Sequence, residues 1–199
     1  MRASFILSIM AIALSASVAA NADSIPYGDV GSLASGHHFE AVESGDLVGY
    51  FLGSSALYNN EIGVFVNGTQ LGGYVLGDHS STVGQAVNFG HVNAGDRIVF
   101  ALNVLDQGYK LYSDTGMNMD SVDHLYATAY SGQTVNGVAI PAGVYLGFED
   151  QLAAISDLDY NDEQALFSNV SMVANPEPIS FILFGTGLLG LGLFRRKRK

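Results

Sequence analysis

The sequence predicts an all-β fold, an antiparallel β-sandwich of jelly-roll or immunoglobulin-like kind, over residues 23–174. Three observations carry that expectation. Short apolar and aromatic runs recur along this stretch, each bounded by Gly, Asn or Asp, which is the pattern of short strands and frequent turns. No helical period of apolar residues persists for about ten residues anywhere within it. Two Asn-Gly pairs, Asn67-Gly68 and Asn136-Gly137, stand between such runs, where both residues tolerate the positive φ that a two-residue hairpin demands.

Taken in order, the first predicted strand covers residues 47–52, where Leu, Val, Tyr and Phe cluster. Strands over 62–66 and 69–75 follow, joined by the Asn67-Gly68 turn. Residues 86–92, 97–105, 109–112 and 124–130 give four more, each rich in β-branched or aromatic side chains. The second Asn-Gly pair joins 132–135 to 138–140, and Pro141-Ala142-Gly143 turns the chain into a strand over 144–148. Residues 151–155 have room for one helical turn. A last strand is expected over 164–173.

The two ends read differently from the middle. Arg2, an apolar run from Phe5 to Leu14 and a small-residue cleavage site after Ala22 make residues 1–22 a signal peptide. Near the other end, Pro176-Glu177-Pro178 precedes an uncharged run over 179–194 and the basic run Arg195-Arg196-Lys197-Arg198-Lys199. At about 1.5 Å per residue, the run spans roughly 24 Å of a hydrocarbon core about 30 Å thick, which suits a temporary membrane-spanning helix. The basic run would stay cytoplasmic and leave everything before Pro178 outside.

Residues 175–199 therefore resemble the PEP-CTERM sorting signal of Gram-negative bacteria, with Pro176, Glu177 and Pro178 as the motif proper. Asn175 departs from the small or apolar residue usual there. The resemblance implies an exosortase-type protease as partner, transient anchoring in the inner membrane, and a final place at the cell surface or in the extracellular matrix.

Between the ends, only Arg97 and Lys110 remain of the eight basic residues, against eighteen of the nineteen acidic ones, a formal charge of 2 − 18 = −16. Nucleic acid is thereby excluded as a partner, because its affinity derives from Lys and Arg displacing counterions. Divalent cations are favoured by the same balance. Cysteine is absent, so an exported domain of this composition relies on its core, on metal or on partners for stability.

The acidic residues are densest at Glu149-Asp150 and, after a gap, at Asp157, Asp159, Asn161 and Asp162. Calcium takes six to eight oxygen ligands at about 2.3–2.6 Å from carboxylates and amide carbonyls on a loop that can curl around it, and Asp157, Asp159 and Asn161 at alternate positions supply that chemistry. An EF-hand is excluded, since Asp162 stands where its glycine is needed and Ser168 where its glutamate belongs. A solvated acidic turn is the competing reading. Asp114, Asp120 and Asp123 form a smaller acidic group, better read as a solvated loop. His37, His38, His79, His91 and His124 lack zinc-ligand spacing.

Gly147-Phe148-Glu149-Asp150, followed by Asp159-Tyr160-Asn161-Asp162 and a strand, resembles the end of a bacterial domain of unknown function common in exported, calcium-rich adhesins. Residues 47–52 are similar to its opening strand, so the likeness extends over about 47–173. It implies calcium at Glu149, Asp150, Asp159, Asn161 and Asp162. Gln151 replaces its leucine, and residues 152–156 replace a Gly-rich gap with a stiffer link able to displace Glu149-Asp150 from the second cluster.

The expectation is a non-enzymatic, calcium-binding or calcium-stabilised surface protein. The alternative is a carbohydrate-binding module that takes an extracellular polysaccharide on a tyrosine-bearing face. A third reading, a glycoside hydrolase using a pair such as Glu149 and Asp162, needs two carboxyl groups about 5–9.5 Å apart.

Overall fold

The computed structural model describes residues 33–34 and 36–173; the signal peptide predicted over residues 1–22 and the sorting signal lie outside them. Among the described residues, thirteen strands run in chain order: β1 His38–Ala41, β2 Gly45–Gly53, β3 Asn60–Val66, β4 Thr69–Gly77, β5 Ala86–Val92, β6 Arg97–Val104, β7 Tyr109–Tyr112, β8 Leu125–Tyr130, β9 Gln133–Val135, β10 Val138–Ile140, β11 Gly143–Phe148, β12 Glu163–Ser168 and β13 Val170–Val173. The only helical element among the described residues is a 3-10 turn at Thr115–Met117, and no described helix is long and apolar enough to cross a membrane.

Every pairing is antiparallel. One sheet has the order β13-β1-β6-β3-β4, with β7 also paired to β6; the other has the order β5-β2-β12-β11-β8. The chain alternates between them, so their inner faces fill one core. Phe39 and Phe100 of the first sheet meet at 5.1 Å between ring centroids, and Phe100 lies 4.6 Å from Phe167 of the second. These rings are all buried, as are Ile62, Leu102, Leu47 and Leu146 around them. The β9–β10 hairpin covers the outer face of the second sheet, where Leu166 packs with Val135 and Ile140.

Both Asn-Gly turns form as their chemistry requires. Asn67 and Gly68 take φ of 49° and 83°, and Asn136 and Gly137 take 49° and 82°. A Cβ at Gly68 would touch nothing within 4 Å. Gly68→Val is therefore a clean test of backbone strain, with a β-branched residue forced to positive φ and no clash added. It should destabilise the protein by about 1–3 kcal/mol in urea unfolding; an unchanged midpoint would mean that the turn is not held in this form.

Two expectations are corrected. Residues 164–173 do not make one strand: Asn169 takes φ of 61°, and the chain passes there from the second sheet into the first. The Asn169 side chain secures the crossing by accepting from the Glu43 N–H at 2.9 Å and donating to the Glu43 carbonyl at 3.0 Å. Asn is the residue besides Gly that enters this region most easily. The second correction is β1, which has no counterpart among the predicted strands. It is short and alternates polar His38 and Glu40 with Phe39 and Ala41, yet it joins β13 to β6 and buries Phe39.

Candidate metal centre

The acidic residues gather where β11 ends and β12 begins. Phe148 pairs with Glu163, and beyond that rung the Asp162 N–H donates to the Phe148 carbonyl at 3.1 Å. The Asp150 N–H donates to the Asp162 carboxylate at 2.8 Å, which fixes Glu149-Asp150 beside the far end of the loop. The intervening residues fold into one tight turn, with the N–H groups of Ile155 and Ser156 donating to the Leu152 carbonyl. The link without glycines thus closes compactly and leaves the two acidic groups together.

Tyr160 is the loop's anchor. Fully buried, its hydroxyl accepts from the Ala34 N–H at 2.8 Å and donates to the Asp123 carbonyl at 3.3 Å. Its carbonyl presses so closely on Gly147 that a methyl group there would collide with it. Leu158 and Tyr160 both hold positive φ, of 56° and 54°. Non-glycine residues in that region are strained and persist only where their surroundings impose it. Between and beyond these two positions, Asp159 and Asn161 stay joined to each other by hydrogen bonds from the Asn161 N–H and side-chain amide to the Asp159 carboxylate.

Two triads of carboxylates result, sharing Glu149. Glu149, Asp150 and Asp162 place one oxygen each within 4.8 Å of one another, and so do Glu149, Asp157 and Asp159. The first triad is buried, whereas Asp157 is exposed and Asp159 partly covered. At that separation two unit charges repel by about 3.5 kcal/mol per pair in an effective dielectric of about 20. Arg97 is engaged with Asp114 at 2.6 Å, and the Lys110 ammonium lies over the Tyr74 ring. Neither basic side chain of the described residues neutralises the cluster.

The protons respond accordingly. Burial pushes Glu149 up, reinforced by Asp157 and Asp159, with the Ser156 side chain and the Tyr160 N–H offsetting it only in part. Neither Glu149 oxygen has a hydrogen-bond partner of good geometry. Burial likewise raises Asp150, against hydrogen bonds from Asn60 and Asp162. Asp162 is pushed up to about 8 by burial first and then by the charges of Asp150, Glu149 and Asp159. A buried group of this kind either keeps a proton or acquires a cation.

Of the six predicted ligands, five carboxylates enter the triads. Asn161 is adjacent, with its side chain donating to the Asp159 carboxylate and its N–H donating to the same group at 3.2 Å. Sequence reasoning missed three residues beside the cluster. Glu163 is fully buried and pushed up to about 10 by burial, then by Asp78, Asp150 and Asp162. Asn60 donates to Asp150 at 2.9 Å, and Asp78 accepts from the Asn60 N–H at 3.0 Å. Glu163 was within reach of the pattern: in β12 it alternates onto the same buried face as Ala165 and Phe167. Asn60 and Asp78 come from distant segments, and nothing local marks them.

The smaller acidic group disperses. Asp114 caps the 3-10 turn and pairs with Arg97, while Asp120 accepts from the Ala153 N–H and contacts His124 at 3.0 Å. Asp123 is buried, accepts from the Leu125 N–H and is pushed up to about 6 by burial.

Among known proteins, the PEP-CTERM protein-sorting motif matches residues 176–199. No curated protein and no solved structure matches the chain. The matched motif supports export by the exosortase route, with transient membrane anchoring before cleavage.

Proposed function

We propose that the chain is an exported, non-enzymatic surface or matrix protein whose β-sandwich is stabilised by calcium at the β11–β12 loop. The observation that carries the calcium reading is the buried triad of Glu149, Asp150 and Asp162, three carboxylates within 4.8 Å with no basic side chain among them. Calcium fits this donor set because it accepts several carboxylates in irregular geometry. Asp157, Asp159 and the amide of Asn161 would complete the outer side. The likeness of residues 147–162 to exported, calcium-rich adhesin domains supports the same reading.

The non-enzymatic part is supported by access. Glu149 is fully buried and Asp162 is 7% exposed, which keeps a polysaccharide away from the pair that a hydrolase would use. An open groove beside Glu43, Asp46 and Asn169 lies at the opposite end of the second sheet and shares no residue with the cluster.

The sorting half has its own test. Because Pro176-Glu177-Pro178 precedes a span too short for comfortable permanent anchoring, the mature protein is expected to lack residues 179–199. Intact-mass measurement of protein from the native host decides it. A full-length tail on the surface-located protein would contradict exosortase processing.

A further inference from the structure

We infer that the acidic end of the sandwich holds a second calcium ion, deeper than the first, between Asp150, Asp162 and Glu163 of one sheet and Asn60 and Asp78 of the other. The inference rests on the calcium reading and adds a site, a ligand set and a structural role to it.

The independent observation is a set of orphaned polar atoms. Both carboxylate oxygens of Glu163 are buried without a hydrogen-bond partner, and so are Asp150 Oδ1 and Asn60 Oδ1. Glu163 and Asn60 are fully buried, out of contact with bulk water. A buried polar atom left unpaired costs on the order of 1–3 kcal/mol, more when charged, and natural interiors contain few of them. Here four such atoms, three from carboxylates and one an amide oxygen, belong to neighbours. Asn60 Oδ1 is an acceptor, and the carboxylate oxygens are acceptors once ionised, so the ionised set lacks a donor or a cation.

The surrounding bonds hold the set in place. The Asn60 amide donates through Nδ2 to Asp150 Oδ2, which leaves Asn60 Oδ1 and Asp150 Oδ1 as the free halves of that pair. Asp78 accepts from the Asn60 N–H at 3.0 Å, and its carboxylate is 4% exposed. Glu163 and Asp78 belong to neither 4.8 Å triad, and Asp78 also contacts the His79 N–H and ring nitrogen at 2.8 Å, yet Glu163 stands close enough to feel the charges of Asp78, Asp150 and Asp162. No hydrogen bond holds its carboxylate, so an ion at this place would draw it inward.

Asn60 opens β3 and Asp78 follows β4, both in the first sheet, whereas Asp150 follows β11 and Glu163 opens β12 in the second. An ion here would clamp the two sheets together, in a chain with no disulfide to do so. Asp150 and Asp162 would lie between it and the outer ion.

Calorimetric titration of the full-length chain in detergent with calcium chloride tests this. Two ions per chain are expected for the unmodified protein and one for Glu163→Gln. Asp78→Asn, on the opposite sheet, should also bind one and stands in if Glu163→Gln fails to fold. One ion in the unmodified protein, or two retained by both variants, would overturn the deep site and leave the calcium reading intact. No calcium bound at all would overturn both.

Discussion

In chelator, the protein should lose stability steadily as pH rises from 5 to 8, the reverse of the usual behaviour of an acidic domain with ion-paired carboxylates. Asp162 titrates near 8 and Glu163 near 10 in the fold, against ordinary values of 3.8 and 4.5. Both folded values lie above the unfolded ones, so the folded state holds protons that the unfolded state releases. Their contribution is fully present below about pH 4 and is lost as pH climbs through the folded values. Each such group gives a slope approaching about 1.4 kcal/mol per pH unit across this window. Glu149 and Asp150 shift in the same direction and add to it.

Asp96 and Asp120 are held below the usual carboxylate range. For Asp96 the cause is hydrogen bonds from Asn93 and Asn67. For Asp120, burial opposes the shift and hydrogen bonds from Ala153 and His124 outweigh it. Their contribution is lost only as pH falls below about 4, outside the window. Calcium should reverse the slope, because the ion binds the ionised carboxylates and displaces their protons. Urea denaturation at pH 5, 6.5 and 8, with calcium and with chelator, measures both slopes. A chelated protein whose stability is flat or rises over that range would mean that the cluster is ionised and solvated.

Much of the fold was legible because turn chemistry is local. Asn67-Gly68 and Asn136-Gly137 fix two hairpins from two residues each, and β5, β7 and β10 coincide with their predicted bounds. The break at Asn169 was not legible, since the residue lies in an otherwise continuous β-forming run. Only the sheet switch makes its positive φ necessary. In the candidate site, the loop carboxylates were visible through their alternate spacing. Tyr160 was not visible as the anchor, because a tyrosine in a β-rich sequence reads as a strand former. Asn60 and Asp78 are brought to Asp150 by the packing of one sheet on the other, and the distance along the chain hides them. The stiff link over 152–156 is able, from sequence alone, to displace Glu149-Asp150 from the second acidic group. It does not, because the i to i+4 bond at Leu152 shortens it.

The central claim is that a divalent cation with calcium's coordination habits stabilises this fold, and thermal melts test it most directly. A ligand that binds only the folded state adds RT ln(1 + [L]/Kd), about 2.7 kcal/mol at a hundredfold excess over Kd. For a domain of this size, that corresponds to a rise of about 5–11 °C in Tm over a chelated sample. Magnesium at equal concentration should give much less, since it demands tight octahedral geometry and gives up water reluctantly. Asp159 and Asp162 belong to different triads that share Glu149, so changing both to Asn withdraws a carboxylate from each. The double variant should lose the calcium increment while its circular dichroism stays that of a β-rich fold. The account predicts separated calcium and chelator melts for the unmodified protein, with magnesium close to the chelator curve. Coincident calcium and chelator melts, or equal protection by magnesium, would contradict it.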